Sequence, residues 1–363
     1  MKFKISYLIY AGLILLVVII VVNSCNTKNN ELTKNTRTIA PSTSKSITEP
    51  VDILKEKSYF PSLSNEVIYY LGDGGTTFYS FLNNQKTKLI DLDIPAQTKV
   101  YYSPDGSKAI INDSYNEFGV NGKIVNILYD FKTKKSSNLN SNIRDLVFTK
   151  DGNKIIYYFN DNSTKNGQIY IANPDGSSWE KITDTNVSFP NLSLSKDGKK
   201  LLLYSNSEGY ENQYVYLLNL NSKQISKLTS SGHDLYATFS PDNQQILYET
   251  LDPKNNYWPI LTLMNSDGSN NKSLNLRAFA NKIAWVDSNS FIFAMDPNLP
   301  ADYYTSTTYQ GNNNLYIYSI YSQQITQLNT TSQFNNISNL MYDSQSKTLY
   351  FTNGEILYSA KIN

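Results

Sequence analysis

From residue 51 onward the chain repeats one pattern of polar and apolar positions. A polar marker, Ser103-Pro104-Asp105-Gly106 in its fullest form, is followed at once by a short apolar and aromatic stretch. The marker recurs as Thr149-Lys150-Asp151-Gly152, Ser195-Lys196-Asp197-Gly198 and Ser240-Pro241-Asp242-Asn243. Degenerate copies stand at Trp285-Val286-Asp287-Ser288 and Met341-Tyr342-Asp343-Ser344, and a weaker one comes first at Ser62-Leu63-Ser64-Asn65. Their third positions are 41, 46, 46, 45, 45 and 56 residues apart. The apolar stretches lie at 67–71, 109–111, 155–159, 201–204, 246–248, 291–293 and 349–351. Asp-Gly readily takes the positive φ angles of a tight two-strand connection, so each marker predicts a hairpin turn.

A second hairpin follows in register. Residues 168–172 lead through Asn173-Pro174-Asp175-Gly176 into 180–183, and the pattern recurs at 77–92, 125–139, 214–229, 260–276 and 315–328. Each repeat therefore holds four short strands, the size and strand count of one propeller blade. Radial packing buries both faces of each blade, which accounts for runs such as Ile155-Ile156-Tyr157-Tyr158-Phe159 that are apolar on successive residues. The fold class is all-β, a β-propeller over 51–363 with seven four-stranded blades, or six if the weak first copy belongs to the ring closure. The last repeat lacks an outer strand, and an uncovered edge exposes unpaired backbone groups. Val51-Asp52-Ile53-Leu54 is the segment available to pair with the carboxyl-terminal strand and close the ring.

The first fifty residues follow a different pattern. Lys2 and Lys4 precede an uncharged run over 5–22, which as a helix would span about 27 Å, near the thickness of a hydrocarbon core. Basic residues before the run keep the amino terminus in the cytoplasm and place the rest outside it. Val22-Asn23-Ser24-Cys25 resembles a bacterial lipoprotein signal with the chain's only Cys at the acceptor position. Residues 1–25 thus read as a signal or membrane anchor, lipidated at Cys25 or retained as an uncleaved helix. Residues 26–50 are polar and free of aromatics, too poor in apolar groups to bury a core, and read as a disordered tether. The expected location is extracytoplasmic and membrane-anchored, periplasmic or at the cell surface.

Composition narrows the chemistry. With 32 basic and 31 acidic side chains the formal charge is +1, without the excess that phosphate neutralisation requires, so nucleic acid is not an expected partner. One Cys excludes a disulfide framework and a Cys-rich zinc site, and one His, His233, excludes two-histidine metal motifs. No metal or cofactor is expected. The Asp residues of the markers recur once per blade, which the ring holds apart, and read as turn residues. His233 stands between the outer strand of one blade and the inner strand of the next, and reads as a loop histidine bonding the adjacent backbone in preference to a general base.

The repeated S-P-D-G followed by an aliphatic and aromatic strand, as at 103–111 and 239–248, resembles the TolB-like family of propeller repeats. Such repeats also occur in propeller domains of prolyl-oligopeptidase-type proteins. The resemblance covers about 51–363 and implies the fold more than an activity, since propellers host unrelated functions. A peptidase relative would carry an α/β-hydrolase domain with a G-x-S-x-G elbow, and that motif does not occur. The chain therefore reads as a binding or scaffold propeller, a monomeric head acting on a protein or cell-envelope polymer. The alternative is a propeller hydrolase or lyase acting on polysaccharide, which would need two carboxylates with perturbed pKa values converging at the channel mouth.

Propeller topology says where binding belongs. Loops between the second and third strands of each blade share a face with the interblade links. One of these loops is enlarged, over 296–314, and accounts for the step of 56. Long loops in compact repeats carry function more often than scaffolding. The candidate partner face holds Tyr303, Tyr304 and Tyr309 from the insertion and Tyr115, Phe118, Tyr210, Tyr257 and Trp258 from neighbouring loops. Such rings supply large contact area with a hydrogen-bonding tip.

Overall fold

In a computed structural model of the chain, the described residues are 41–92, 99–112, 125–160, 167–205, 213–300, 303 and 311–363. They form seven antiparallel four-stranded blades around a ring, with a single turn of 3-10 helix at Ala280–Lys282. Six blades are continuous in sequence: 59–91, 99–138, 143–185, 191–227, 236–273 and 283–329. The seventh combines 337–361 with a strand from the amino-terminal side. The weak first marker heads a complete blade, so the count is seven.

Every marker turn joins the first and second strands of its blade. In the second blade Asp105 Oδ1 accepts from Ser103 Oγ at 2.6 Å, from Ser107 Oγ at 2.9 Å and from Ser107 N at 3.1 Å. Burial alone would raise this carboxyl, but these donors outweigh it and bring it down to about 2. Asp151, Asp197 and Asp242 make the same bonds to the residue two before and the backbone two after. These acids are turn-builders, as their periodicity predicts.

The core consists of seven hydrophobic clusters, one at each blade-to-blade interface. The strand Ile155–Phe159 shows why its apolar residues are consecutive. Ile155 and Tyr157 pack toward the second blade, whereas Ile156 and Tyr158 pack toward the fourth. Side chains of a strand alternate between faces, so a sheet with two dry faces needs apolar residues at every position.

The ring closes as predicted. Val51–Lys57 pairs antiparallel with Ile356–Lys361 as the outer strand of the seventh blade, through Val51↔Ser359, Asp52↔Tyr358 and Lys57↔Ile356. Ile53 and Leu54 pack beside Ile68, Tyr70 and Leu357 between the seventh and first blades.

The polar stretch expected to remain a tether through Pro50 is ordered earlier. Thr43–Ser46 adds a fifth strand to the sixth blade, parallel to Gln324–Asn329. Ile47 is buried and bridges Ile362, and Glu49 accepts from the backbone N–H groups of Thr331 and Ser332 at 3.1 and 2.9 Å. Composition misses this strand because an edge strand is held by backbone hydrogen bonds. All four of its side chains are exposed, and one apolar anchor, Ile47, suffices to seat it. Residues 1–40, including the apolar run and Cys25, lie outside the described residues. Among the described residues no helix is long and apolar enough to cross a membrane.

Candidate functional site

The loops joining second to third strands and the interblade links emerge on one face, and the marker turns on the other. On the first face, around the fifth and sixth blades, three of the predicted aromatics converge. Tyr303 Oη donates to the carbonyl of Tyr257, and Trp258 Nε1 donates to the carbonyl of Pro300 at 3.3 Å. The enlarged loop is thereby fastened to the loop of the neighbouring blade. Tyr257 packs edge-on against His233, with ring centroids 6.4 Å apart. The other predicted face residues, Tyr115, Phe118, Tyr210, Tyr304 and Tyr309, lie outside the described residues.

Beside this brace is a cavity of about 570 Å³. Arg277, Phe279 and Lys282 enter it from the link between the fifth and sixth blades. Asp296 and Tyr303 come from the enlarged loop, and Asn335 and Asn336 from the link to the seventh blade. Ala294 and Met295, both buried, contribute apolar lining from the strand Ser290–Met295. The Arg277 guanidinium lies over the Trp258 ring, 3.4 Å from its centroid. Lys282 Nζ donates to Asn313 Oδ1 at 3.0 Å, and Asn313 N donates to the Phe334 carbonyl at 2.7 Å. Asp296 accepts from the N–H groups of Asn298 and Asn312 at 2.8 and 2.9 Å, so it ties together the two ends of its own loop. Burial pulls the Lys282 ammonium below its ordinary value, with Asp296 working partly against that shift, and burial also lowers the Arg277 guanidinium.

A second polar cluster spans the inner strands of the second, third and fourth blades. Lys99 Nζ lies 2.8 Å from Asp145 Oδ1 and 2.9 Å from Asn191 Oδ1. Asp145 also accepts from Tyr101 Oη and, at 2.7 Å, from Leu192 N. Burial raises the Asp145 carboxyl, and Lys99 and the backbone donors only partly oppose it. A further carboxylate, Glu249 in the strand Gln245–Asp252, accepts from Ala280 N and is pushed up to about 8 by burial, with the nearby charge of Asp234 acting the same way and the Ala280 bond against it.

His233 departs from its expected role. Its backbone makes the bonds, N–H to Thr250 Oγ1 at 2.9 Å and carbonyl from Leu251 N at 2.9 Å, whereas its side-chain Nδ1 is buried with no hydrogen-bond partner among the described residues.

Sequence reasoning singled out Tyr257, Trp258 and Tyr303 as candidate face residues, without the bonds that join their loops, and missed the cations. Arg277 is one of three arginines among 32 basic residues, and it stands two residues before Phe279 in an interblade link. A rare arginine next to an aromatic in a loop was the available signal. Lys99, Asp145 and Asn191 come from three repeats, and no sequence spacing announces that they meet.

The family model for the TolB beta propeller domain matches residues 82–289. The chain belongs to that family. This TolB-type propeller also resembles solved structures. A chain of the Kuenenia stuttgartiensis hydrazine synthase superposes with a TM-score of 0.59 at 12% identity, over 90% of this chain and 100% of that one. The tricorn protease gives 0.56 at 13% identity over 88% of this chain, which spans only 34% of the protease chain. The propeller domain of the trilobed protease from Pyrococcus furiosus, described as having an open velcro topology, gives 0.52 at 15% identity, over 84% of this chain and 93% of that one. At these identities the likeness establishes the fold alone. No curated protein matches the chain. In contrast to the topology described for the Pyrococcus domain, the TolB-type ring here is closed by its own amino-terminal strand.

Proposed function

We propose that this TolB-type propeller is an exported, membrane-tethered module that binds a protein partner through the face of second-to-third-strand loops and interblade links, centred on the fifth and sixth blades. The observation that carries the reading is the braced cavity. An enlarged loop is fixed to its neighbour by Tyr303 and Trp258, and it walls a recess holding two cations, aromatic rings and side-chain amides. Fixed recesses of this size with a few convergent polar groups are the usual form of a recognition site. Rigid aromatic and arginine anchors are the side chains that dominate protein interfaces. The apolar run at 5–22 and Cys25 support the export and tethering.

The test is site-specific photo-crosslinking of the full chain in cells. Probes at Asn298 and Asn335, both exposed beside the cavity, are expected to capture a discrete protein, and a probe at Lys150 on the marker-turn face is not. Capture only from Lys150 sinks the proposal. Co-sedimentation with envelope polysaccharide and no protein capture from either face sinks it too.

The polysaccharide-cleaving alternative has one observation on its side, since burial raises both Asp145 and Glu249. Asp145, however, is engaged by Lys99, Tyr101 and Leu192, and Glu249 is held by Ala280, so the two have separate partner sets. Cleavage of an envelope polysaccharide digest that disappears in Glu249→Gln would favour that alternative.

A further inference from the structure

The described lining of the cavity holds two cationic side chains, Arg277 and Lys282, against a single acid, Asp296, and so carries an excess of positive charge. Neither Arg277 nor Lys282 forms an ion pair among the described residues. The one acid in the described lining, Asp296, accepts from two backbone N–H groups of its own loop, and its charge offsets only part of the burial of Lys282. Both cations are partly withdrawn from water, a cost that a bound anion would relieve beyond what Asp296 supplies to Lys282. They are also preorganised. Arg277 has its Cζ 3.4 Å over the Trp258 ring, whose indole N–H is itself fixed to Pro300, and a guanidinium held over a ring can offer its edge to a planar two-oxygen acceptor. Lys282 is steered by Asn313, which uses one of its three donors.

The remainder of the lining fits a chain end. Ala294, Met295 and Leu299 supply apolar surface, Phe279 and Tyr303 an aromatic wall with centroids 5.8 Å apart, and Asn281, Asn335 and Asn336 amides that can both donate and accept. Resting on the partner-face reading above, we infer that the cavity between the fifth, sixth and seventh blades captures the carboxyl terminus of a polypeptide. Arg277 and Lys282 bind the terminal carboxylate, the apolar wall takes the last side chain, and the asparagines pair with the preceding peptide groups. A terminus needs one opening, presents both oxygens to the cation pair, and brings the peptide groups that an amide-rich rim matches. Capture of a terminal carboxylate is a recurring mode of peptide recognition.

An acidic side chain carries the same group, so the experiment separates the two sources. The full chain in non-ionic detergent is titrated with three fluorescein-labelled peptides: Gly-Ser-Gly-Leu with a free carboxylate, the same peptide as its amide, and Gly-Asp-Gly-Leu amide. The free acid is expected to bind at least tenfold more tightly than either amide, and Arg277→Gln and Lys282→Gln are each expected to weaken it at least tenfold. Melting temperatures of the two variants serve as the folding control, and Lys282→Gln decides if loss of the Trp258 stack unfolds the other. Equal binding of acid and amide, tighter binding of the Asp peptide, or no binding at millimolar peptide overturns the inference. Binding of trigalacturonate with no binding of the peptides overturns it in favour of an acidic saccharide. Persistence of Asn298 crosslinks alongside failure of the peptides would discard the carboxylate and keep the face, whereas loss of the crosslinks discards the face itself.

Discussion

Gly106 and Gly198 occupy the same place in two marker turns, with φ of 66° and 73°, yet their surroundings differ. A Cβ at Gly106 would collide with the hydroxyl end of the Tyr69 ring of the preceding blade, whereas at Gly198 it would meet nothing within 4 Å. Gly198→Ala is therefore expected to cost about 1 kcal/mol, the strain of a left-handed alanine alone. Gly106→Ala is expected to cost about 3 kcal/mol, because a packed ring must also move; urea unfolding of both variants checks the difference. Asn243 takes the equivalent position in the fifth blade at φ 63°, which explains how that marker survives without glycine. Glu249 supports a pH prediction. Its folded pKa, near 8, stands above the ordinary 4.5, so between these values the native state keeps a proton that the unfolded chain has released. Stability contributed by this group falls as pH rises from about 4.5 to 8 and is level above that. Glu249→Gln, which keeps an acceptor for Ala280 and cannot ionise, is expected to flatten that decline and to exceed the wild type at pH 8 by a margin on the order of 4 kcal/mol. Melting curves across pH 5–8 decide it, and parallel curves for the two proteins would contradict the assignment.

At the scale of elements, Lys99, Asp145 and Asn191 stitch together the inner strands of three successive blades, Lys99–Tyr102, Ile143–Phe148 and Asn191–Leu194. Removing one partner strands a buried charge. Lys99→Met is expected to destabilise by about 3 kcal/mol, and Lys99→Met combined with Asp145→Asn to recover part of the loss, as a coupled pair does. A double-mutant cycle by chemical denaturation measures it, and additive losses would show that the pair is not coupled. The strands themselves were legible. Each marker had to be a turn, and consecutive apolar residues such as Ile155 to Tyr158 had to serve two interfaces. Contacts between blades were less so, because Lys99 and Asn191 are separated by two repeats and nothing in a periodic pattern says which polar residues face the axis. Among the residues of the candidate site, Tyr257, Trp258 and Tyr303 were accessible from loop length and ring content. Arg277 carried only the weak signal of a rare arginine near an aromatic, and Lys282 carried none, since an interblade link looks like any other polar connection.

For the whole molecule, closure by Val51–Lys57 followed from the missing outer strand, which the edge-strand argument demanded. The added strand Thr43–Ser46 did not, because its sequence is that of a soluble linker and only the free edge of Gln324–Asn329 recruits it. Its placement has a mechanical consequence. A load applied to the amino terminus reaches the four-residue parallel pairing on the sixth blade before it reaches the seam of the ring. Peeling residues 41–50 pays out chain on the order of 30 Å at full extension while the seam holds. Stretching by optical tweezers from the amino end is expected to show a short first rip of that length at low force, then a later, larger rupture as the circle opens. Glu49→Ala, which releases Thr330, Thr331 and Ser332, is expected to lower only the first. The strand thus acts as a shock absorber, yielding first and sparing the seven-bladed wheel behind it.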